Sequence, residues 1–375
     1  MKITNIFKDF LNNEKTSAIL LILVTIISLI LSNSFLKVPY SQLINSNFLG
    51  ISTKDIVNDG LMTFFFLLIG LELEIEFYIG ELSNLKDAIF PVVAAIGGMI
   101  VPCCIYFILN NKTPYQQGVA IPMATDIAFG LGVLSLIGKK IPFPIKIFLT
   151  ALAVIDDLGA ILIIAIFYTK MLVISNLIIS IVILLLLFIL NRLKINKLTP
   201  YLIGGFFMWF FMLKSGVHAT ISGVLLAFVI PFGNGDSQTI SYKLQKFISK
   251  PVAFIILPIF ALINTNIEIN GNVKEIFNTS YGLGIFLGLL IGKPLGVVGL
   301  LYILIKINIL KLPKGLNFKS ILGVGFIAGI GFTMSIFITN LAFNNHTTID
   351  NAKLIILISS FLAAIIGFIY FKSKV

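Results

Sequence analysis

The sequence predicts an all-α integral membrane protein with about twelve transmembrane helices. Of its 375 residues, 58% are hydrophobic and only 11% are charged, and the mean hydropathy of +1.05 lies outside the range of soluble domains. Several apolar runs also reach the length of about 20 residues that a helix needs to cross a hydrocarbon core about 30 Å thick. We therefore expect the chain to lie in the membrane, in contact with lipids.

The apolar runs favour helices over the strands of a barrel. Segments such as "AILLILVTIISLILS" and "IISIVILLLLFIL" are apolar on every face, whereas a barrel strand alternates between polar and apolar residues over about 10 positions. In chain order, the predicted spans are residues 16–36, 59–78, 88–109, 118–137, 146–169, 172–190, 200–214, 218–231, 251–264, 281–306, 321–341 and 351–371. No soluble domain fits in the loops, so residues 1–375 are predicted to form a single transmembrane domain.

The positive charges predict the orientation of the chain. Twelve spans place both termini on one side, and a cytoplasmic N-terminus puts most of the 27 Lys and Arg residues in cytoplasmic loops, as for Arg192, Lys194 and Lys197. This distribution agrees with the positive-inside rule. The formal net charge of +11 is therefore a topology signal, and no nucleic-acid partner is expected.

Four ionisable residues are predicted near the middle of apolar spans: Asp126, Asp156, Asp157 and Lys293. Each charge would cost roughly 2.5–3.5 kcal/mol at the centre of a helix that faces lipid. They must therefore face one another or water. Their common depth is the bilayer midplane, where a transporter with alternating access binds its ion.

Asp156 and Asp157 are expected to have different partners. Neighbouring residues on a helix point about 100° apart, so one carboxylate can face an ion cavity while the other reaches Lys293. A buried ion pair that only fixes helix packing is the alternative. The surplus of carboxylates over Lys293 favours an ion site.

Two spans contain residues that interrupt helices. In "GVAIPMATDIAFGLG", Pro122 removes a backbone donor shortly before Thr125 and Asp126, and "GVGFIAGIGFTMSIF" contains Gly323, Gly325, Gly329 and Gly331. Both spans are predicted to be discontinuous, although glycines also serve close helix packing. Asp126 would suit the positive N-terminal ends of the half-helices, and Lys293 the negative C-terminal ends.

The direction of the spans predicts an internal repeat. With the predicted topology, the three spans within about 88–169 run opposite to the three within about 281–371, and in each triplet the interrupted helix is the second. This order is expected of inverted-topology repeats.

Several segments spread over most of the chain form a specific pattern: "NDGLMTFFFLLIGLELE", "AAIGGMIVP", "AIPMATDIAFGLGVLSL", "KIFLTALAVIDDLGAILIIAIFYT", "LKSGVHATISGV", "LLIGKPLG" and "GIGFTMSIFI". With these segments the chain resembles the NhaA family of sodium/proton antiporters. The resemblance implies a fold with two discontinuous crossing helices. It also implies electrogenic exchange of sodium or lithium for protons across the bacterial cytoplasmic (inner) membrane, in pH and sodium homeostasis, with no cofactor, no enzymatic activity and a homodimeric assembly.

The same resemblance assigns roles to the buried charges. Asp157 would be the primary ligand of the transported sodium, and Asp156 would be a second, proton-exchanging carboxylate paired with Lys293. Asp126 and Thr125 would belong to the crossing of the two discontinuous helices.

Glu72 and Glu76 correspond to family positions linked to the pH response, and His218 also matches a family position, where a structural hydrogen bond is an equal expectation. The chain departs from the family pattern at Ile75, where a basic residue is expected. It also departs at the start of the ninth span, with Gln245, Lys246 and Ser249. The segment 37–58, where the family forms a hairpin used in dimers, is short.

Three other functions fit the sequence less well. An intramembrane aspartyl protease would carry its two carboxylates on separate helices in a GxGD setting, which this sequence lacks. A sodium-coupled solute symporter with a similar crossed-helix core would need a pocket for an organic substrate. A channel is disfavoured because titratable charges at mid-depth would trap the passing ion.

Overall fold

The computed structural model describes residues 2–48, 50–138, 141–169, 172–233, 235–236, 238–269 and 273–374. These residues form α-helices and one small hairpin. The helices are α1 (Lys2–Ser32), α2 (Lys37–Ile44), α3 (Thr53–Asp55), α4 (Met62–Tyr78), α5 (Leu85–Asn110), α6 (Ile127–Ile137), α7 (Phe143–Phe167), α8 (Ile174–Arg192), α9 (Leu198–Ser215), α10 (Ile221–Val229), α11 (Ile240–Pro251), α12 (Leu257–Asn264), α13 (Val273–Phe277), α14 (Ser280–Leu287), α15 (Lys293–Lys306), α16 (Phe318–Ala328), α17 (Phe332–Ala342) and α18 (His346–Lys374).

Five short segments of other helical type accompany them. Glu81–Ser83 and Gln116–Met123 are 3₁₀-helical, and Ile56–Leu61, Val252–Ile256 and Gly288–Gly292 are π-helical. The π segments continue the helices around them, so that Thr53–Tyr78, Ile240–Asn264 and Ser280–Lys306 are each one membrane span.

The described residues contain nine helical spans that are long and apolar enough to cross a membrane, and the bent pair α16 and α17 makes a tenth. The predicted all-α membrane fold is thereby confirmed. The other two predicted spans, 200–214 and 218–231, correspond to α9 and α10. Both are helical, and α10 has only 9 residues, which is about 14 Å of helix.

The ninth predicted span begins earlier than the apolar pattern indicates. Residues 251–264 are preceded by α11, whose Leu244 and Ile248 are buried while Lys246 is exposed. The helix α11 is amphipathic and its lysines lower its mean hydropathy, so a search for apolar runs does not detect it.

The segment 37–58, where the family that the sequence resembles forms a hairpin, has a hairpin in this structure as well. It contains α2 and an antiparallel hairpin of β1 (Asn47–Phe48) and β2 (Ile51–Ser52), in which Asn47 pairs with Ser52.

The chain divides into two compact units. The first comprises the residues up to Lys37, Asn84–Ala160 and the residues from Asn264 onwards, and the second comprises Val38–Ser83 and Ile161–Ile263. Within the second unit, α8 exposes Ile178 and Leu185. Apolar side chains on an outer face are expected where the solvent is lipid.

The first unit has an unusually close helix pair at its core. A Cβ atom built on Gly97 of α5 would collide with the carbonyl oxygen of Gly296 in α15, and one on Gly296 would collide with that of Gly97. Glycine therefore allows these two backbones to touch. This contact brings α15, and with it Lys293, directly against α5.

Both predicted helix interruptions are present in the first unit. The 3₁₀ segment Gln116–Met123 is followed by extended backbone at Ala124 and Asp126 before α6 begins. The second interruption separates α16 from α17, which meet at an angle of 48°.

Candidate functional site

The two helix interruptions contact each other through their backbones. The N–H of Asp126 donates to the carbonyl of Ile330 at 2.7 Å. The hydroxyl Oγ1 of Thr125 lies 2.8 Å from the carbonyl oxygen of Ala328, the last residue of α16. Backbone that leaves the helix within a membrane-spanning segment thus finds its hydrogen-bond partner in the other interruption. The two discontinuous helices cross at these residues.

Asp126 caps two helices from this crossing. Its Oδ1 accepts from the N–H of Phe129 at 2.9 Å in its own helix α6. Its Oδ2 accepts from Thr333 twice, from the N–H at 3.1 Å and from the hydroxyl at 2.5 Å. Because Thr333 lies in the first turn of α17, one buried carboxylate faces the positive ends of two half-helices.

Asp156 of α7 pairs with Lys293 at the start of α15. The Lys293 ammonium contacts Oδ2 of Asp156, and both side chains are fully buried. The hydroxyl of Thr125 approaches the same Oδ2 at 2.8 Å. Oδ1 of Asp156 has no hydrogen-bond partner within the described part of the chain. The pair is therefore linked through Thr125 to the helix crossing.

Lys293 reaches this position along α5. A Cβ atom built on Gly98 would lie 3.8 Å from both Cδ and Nζ of Lys293. The same Cβ atom would lie only 3.0 Å from Cγ2 of Val297, so glycine at this position lets α15 pack closely against α5, with the Lys293 side chain beside Gly98.

Asp157 follows Asp156 on α7 and is also buried. It points about 100° away from Asp156 around the helix axis. In the described part of the first unit, three carboxyl groups (Asp126, Asp156 and Asp157) and two lysines (Lys293 and Lys353) are buried. A carboxylate in excess over the buried lysines can bind a cation or a proton. Among the described residues, no three His, Cys, Asp or Glu side chains converge as they would around a resident metal ion.

The residues assigned to a pH response lie in the second unit. Glu72 is half-buried on α4, and Oε2 of Glu76 accepts from the N–H of Glu81 at 3.1 Å. Nε2 of His218 lies 2.8 Å from the carbonyl oxygen of Tyr168. This contact is the structural hydrogen bond that was one of the two expectations for His218.

Three residues to which the sequence pattern assigns no role are prominent in the structure. Thr333 binds Asp126 as described above. Glu74 is buried, and its Oε2 accepts from the hydroxyl of Ser241 at 3.2 Å. Lys353 is buried near the start of α18, 3.4 Å from Oδ1 of Asn264. The signals were present, because Glu74 stands between Glu72 and Glu76, and Lys353 lies inside the predicted span 351–371.

Comparison with known proteins gives a consistent result. Residues 8–371 match the family described as Na+/H+ antiporter 1. The chain is 61% identical to a protein of Flavobacterium psychrophilum named Na(+)/H(+) antiporter NhaA, over 100% of this chain and 97% of the relative. Proteins of the same name from Cytophaga hutchinsonii and Vibrio parahaemolyticus are 54% and 45% identical, covering 99% and 97% of this chain and 96% of each relative.

A solved structure shares the fold. The sodium proton antiporter MjNhaP1 from Methanocaldococcus jannaschii matches with a TM-score of 0.50 over 100% of this chain and 97% of the other. The sequence identity is only 15%, so this likeness concerns the fold alone.

Proposed function

Since the chain belongs to the Na+/H+ antiporter 1 family and is a sodium/proton antiporter, we propose how its buried residues perform the exchange. Asp157 is the primary ligand of the transported sodium. Asp156 is the second carboxylate, which exchanges protons and pairs with Lys293 when sodium is absent. Asp126 and Thr125 hold the helix crossing on which this site depends.

The contact between Lys293 and Asp156 carries this proposal. Both groups are fully buried. A charge without access to water costs free energy unless an opposite charge compensates it. A sodium ion that approaches Asp156 competes with the ammonium for the same oxygen, Oδ2. The site therefore changes between two arrangements, one with the ion pair and one with the cargo.

Competition couples the two fluxes. A carboxylate that is open to one side of the membrane at a time binds either sodium or a proton. Protons that enter from one side displace the sodium delivered from the other. Asp156 and Asp157 offer two proton-accepting groups for one sodium ion, which supports electrogenic exchange in pH and sodium homeostasis.

The chain is a multi-pass bacterial membrane protein. We place it in the cytoplasmic (inner) membrane with both termini in the cytoplasm, because this orientation satisfies the positive-inside rule. We also propose a homodimer, for which the hairpin of β1 and β2 is the candidate contact. The relatives are transporters and not enzymes, and no cofactor or nucleic acid takes part in the proposed cycle.

The domain organisation remains part of the proposal. Residues 1–375 act as one transporter domain, and about 88–169 and 281–371 are inverted repeats. This assignment is supported by the occurrence of one discontinuous helix in each range, at residues 124–126 and 329–331.

The assignment of Asp157 is tested by Asp157→Asn in proteoliposomes, with a sodium-induced pH change as the readout. Exchange should be lost while insertion into the membrane is preserved. Asp87→Asn is the matched control, since Asp87 is exposed and should leave exchange intact. Normal exchange by the Asp157 variant would refute the assignment. The alternative of a sodium-coupled solute symporter is not supported, because the relatives are antiporters.

A further inference from the structure

A π turn lies directly before Lys293. The N–H of Lys293 donates to the carbonyl of Gly288, five residues earlier, whereas an α-helix would use the residue four positions earlier. Such a turn contains one extra residue, which rotates everything after it by about 100° around the axis. The direction in which Lys293 leaves the helix therefore depends on the segment Gly288–Gly292.

The sequence gives a cause for this turn. Lys293 is followed by Pro294, which has no N–H and whose ring would clash with the carbonyl of Leu290 in a regular α-helix. A wider turn before the proline moves this carbonyl away from the ring. The π turn is thus attributable to a particular residue.

A second span shows the same arrangement. In Val252–Ile256, the N–H of Leu257 donates to the carbonyl of Val252, and Pro258 follows at once. The third π segment, Ile56–Leu61, has no proline and contains Gly60. Proline after the turn is therefore a recurrent cause in this chain, although it is not the only one.

Glycines let the turn at Gly288–Gly292 pack against its neighbours. A Cβ atom on Gly288 would lie 2.6 Å from Cβ of Pro122 in the 3₁₀ segment, and one on Gly292 would lie 2.9 Å from Cα of Pro102 in α5. The turn is consequently held between α5 and the first discontinuous helix.

The second discontinuous helix also touches the turn. A Cβ atom on Gly329, which follows α16, would collide with the carbonyl oxygen of Leu289. In a regular α-helix this carbonyl would accept from Lys293, whose N–H is used by Gly288 here. The turn thus exposes a backbone carbonyl to the helix interruption at residues 329–331.

We propose that the π turn at Gly288–Gly292, imposed by Pro294, is a positioning device for transport that aims the Lys293 ammonium at Asp156. Pro294 is a positioning residue, because it acts through Lys293. By holding a positive charge against Asp156, the turn sets how strongly the empty site opposes the entry of sodium. This inference rests on the role proposed above for Lys293.

The first test is Pro294→Ala, measured as the sodium KM and the maximal rate of exchange in proteoliposomes. With the proline removed, the turn relaxes to an α-helix and Lys293 rotates away from Asp156. Withdrawal of a unit positive charge from the site lowers the sodium KM by about tenfold, and the maximal rate falls. An unchanged or raised KM overturns the proposal.

A compensating deletion supplies the second test. Pro294→Ala combined with deletion of Ile291, whose side chain is 47% exposed, gives a straight α-helix in which Lys293 points as before. The sodium KM of this double variant should return to within about twofold of the parent. A KM that stays as low as in Pro294→Ala overturns the proposal. If Pro294→Ala does not reach the membrane, the double variant decides alone: parental insertion and KM support the proposal, and a failure to insert overturns it.

Two controls separate this inference from other effects. Pro258→Ala removes the other proline that follows a π turn and should leave the sodium KM within about twofold of the parent. If Pro258→Ala lowered the sodium KM as much as Pro294→Ala does, a specific role for Pro294 would be overturned. Lys293→Met removes the ammonium itself and should lower the KM as Pro294→Ala does. If Lys293→Met leaves the KM unchanged, the proposed role of Lys293 fails. If only Pro294→Ala leaves it unchanged, the role of the π turn fails.

Discussion

The Lys293 ammonium contacts Oδ2 of Asp156, and neither side chain is exposed. The two residues are 137 positions apart in the chain, and Thr125 and the π turn before Lys293 arrange the contact. A buried ion pair holds two charges away from water, so the removal of one group leaves the other as an uncompensated buried charge.

Neutralising one partner should therefore destabilise the protein more than neutralising both. Lys293→Met is expected to lower the free energy of unfolding by about 3–5 kcal/mol, because it leaves Asp156 as a buried carboxylate without its cation. Combination with Asp156→Asn should recover most of this loss. Thermal unfolding of the purified variants in detergent measures the effect, and a double variant no more stable than Lys293→Met would contradict it.

The role of Thr125 in exchange is expected to depend on its hydroxyl group and not on the shape of its side chain. The hydroxyl has one proton and two acceptors, Oδ2 of Asp156 and the carbonyl oxygen of Ala328, each at 2.8 Å. Thr125→Val keeps the volume but removes this donor, so that Oδ2 of Asp156 retains only Lys293 and the carbonyl of Ala328 loses the hydroxyl. We expect a cost of about 1–3 kcal/mol and slower sodium/proton exchange. Thr125→Ser retains the donor and should restore exchange in proteoliposomes. Equal exchange by the valine and serine variants would contradict this role.

Asp126 is expected to contribute to the stability of the fold, because its carboxylate accepts hydrogen bonds from Phe129 and twice from Thr333. Asp126→Ala removes all three bonds from the two half-helix N-termini. Hydrogen bonds to a charged group contribute about 1.5–3 kcal/mol each. The amount of folded alanine variant in the membrane should therefore be lower than that of the parent. Asp126→Asn keeps one acceptor and should be intermediate in thermal stability. An alanine variant as stable as the asparagine variant would rule out this capping role.

The contact between α5 and α15 can be tested with two glycines of the same helix. Gly296→Ala places a methyl group against the backbone of Gly97, and such overpacking costs about 1–3 kcal/mol. At Gly299 a Cβ atom would meet nothing within 4 Å, so Gly299→Ala should be neutral or stabilise by about 0.4–1 kcal/mol. Thermal melting of both variants measures the difference, and equal melting temperatures would exclude the close backbone contact.

Most of the membrane fold followed from apolar runs, and the spans that were misjudged show the limit of that signal. The start of the ninth span at Ile240 was missed because α11 is amphipathic and carries lysines on its exposed side. The strands of the hairpin at Asn47–Ser52 have only two residues each, which is too short for an alternating pattern to be recognised. A hydropathy window reports average lipid solubility, and it carries little information where a helix is half in contact with water.

The sequence by itself determined that the chain crosses the membrane many times and that two helices are interrupted, and it predicted Asp126, Asp156, Asp157 and Lys293 near the middle of their spans. These properties depend on the residue types within single segments, because the cost of a charge or a proline in lipid is local. The family resemblance implied that Lys293 pairs with Asp156, and the structure brings these two side chains into contact. Only the tertiary structure decided that Thr333 binds Asp126 and that a π turn sets the direction of Lys293. Such contacts depend on helix register and rotation, which result from the packing of segments far apart in the chain. The residue pattern of each segment alone does not reveal them.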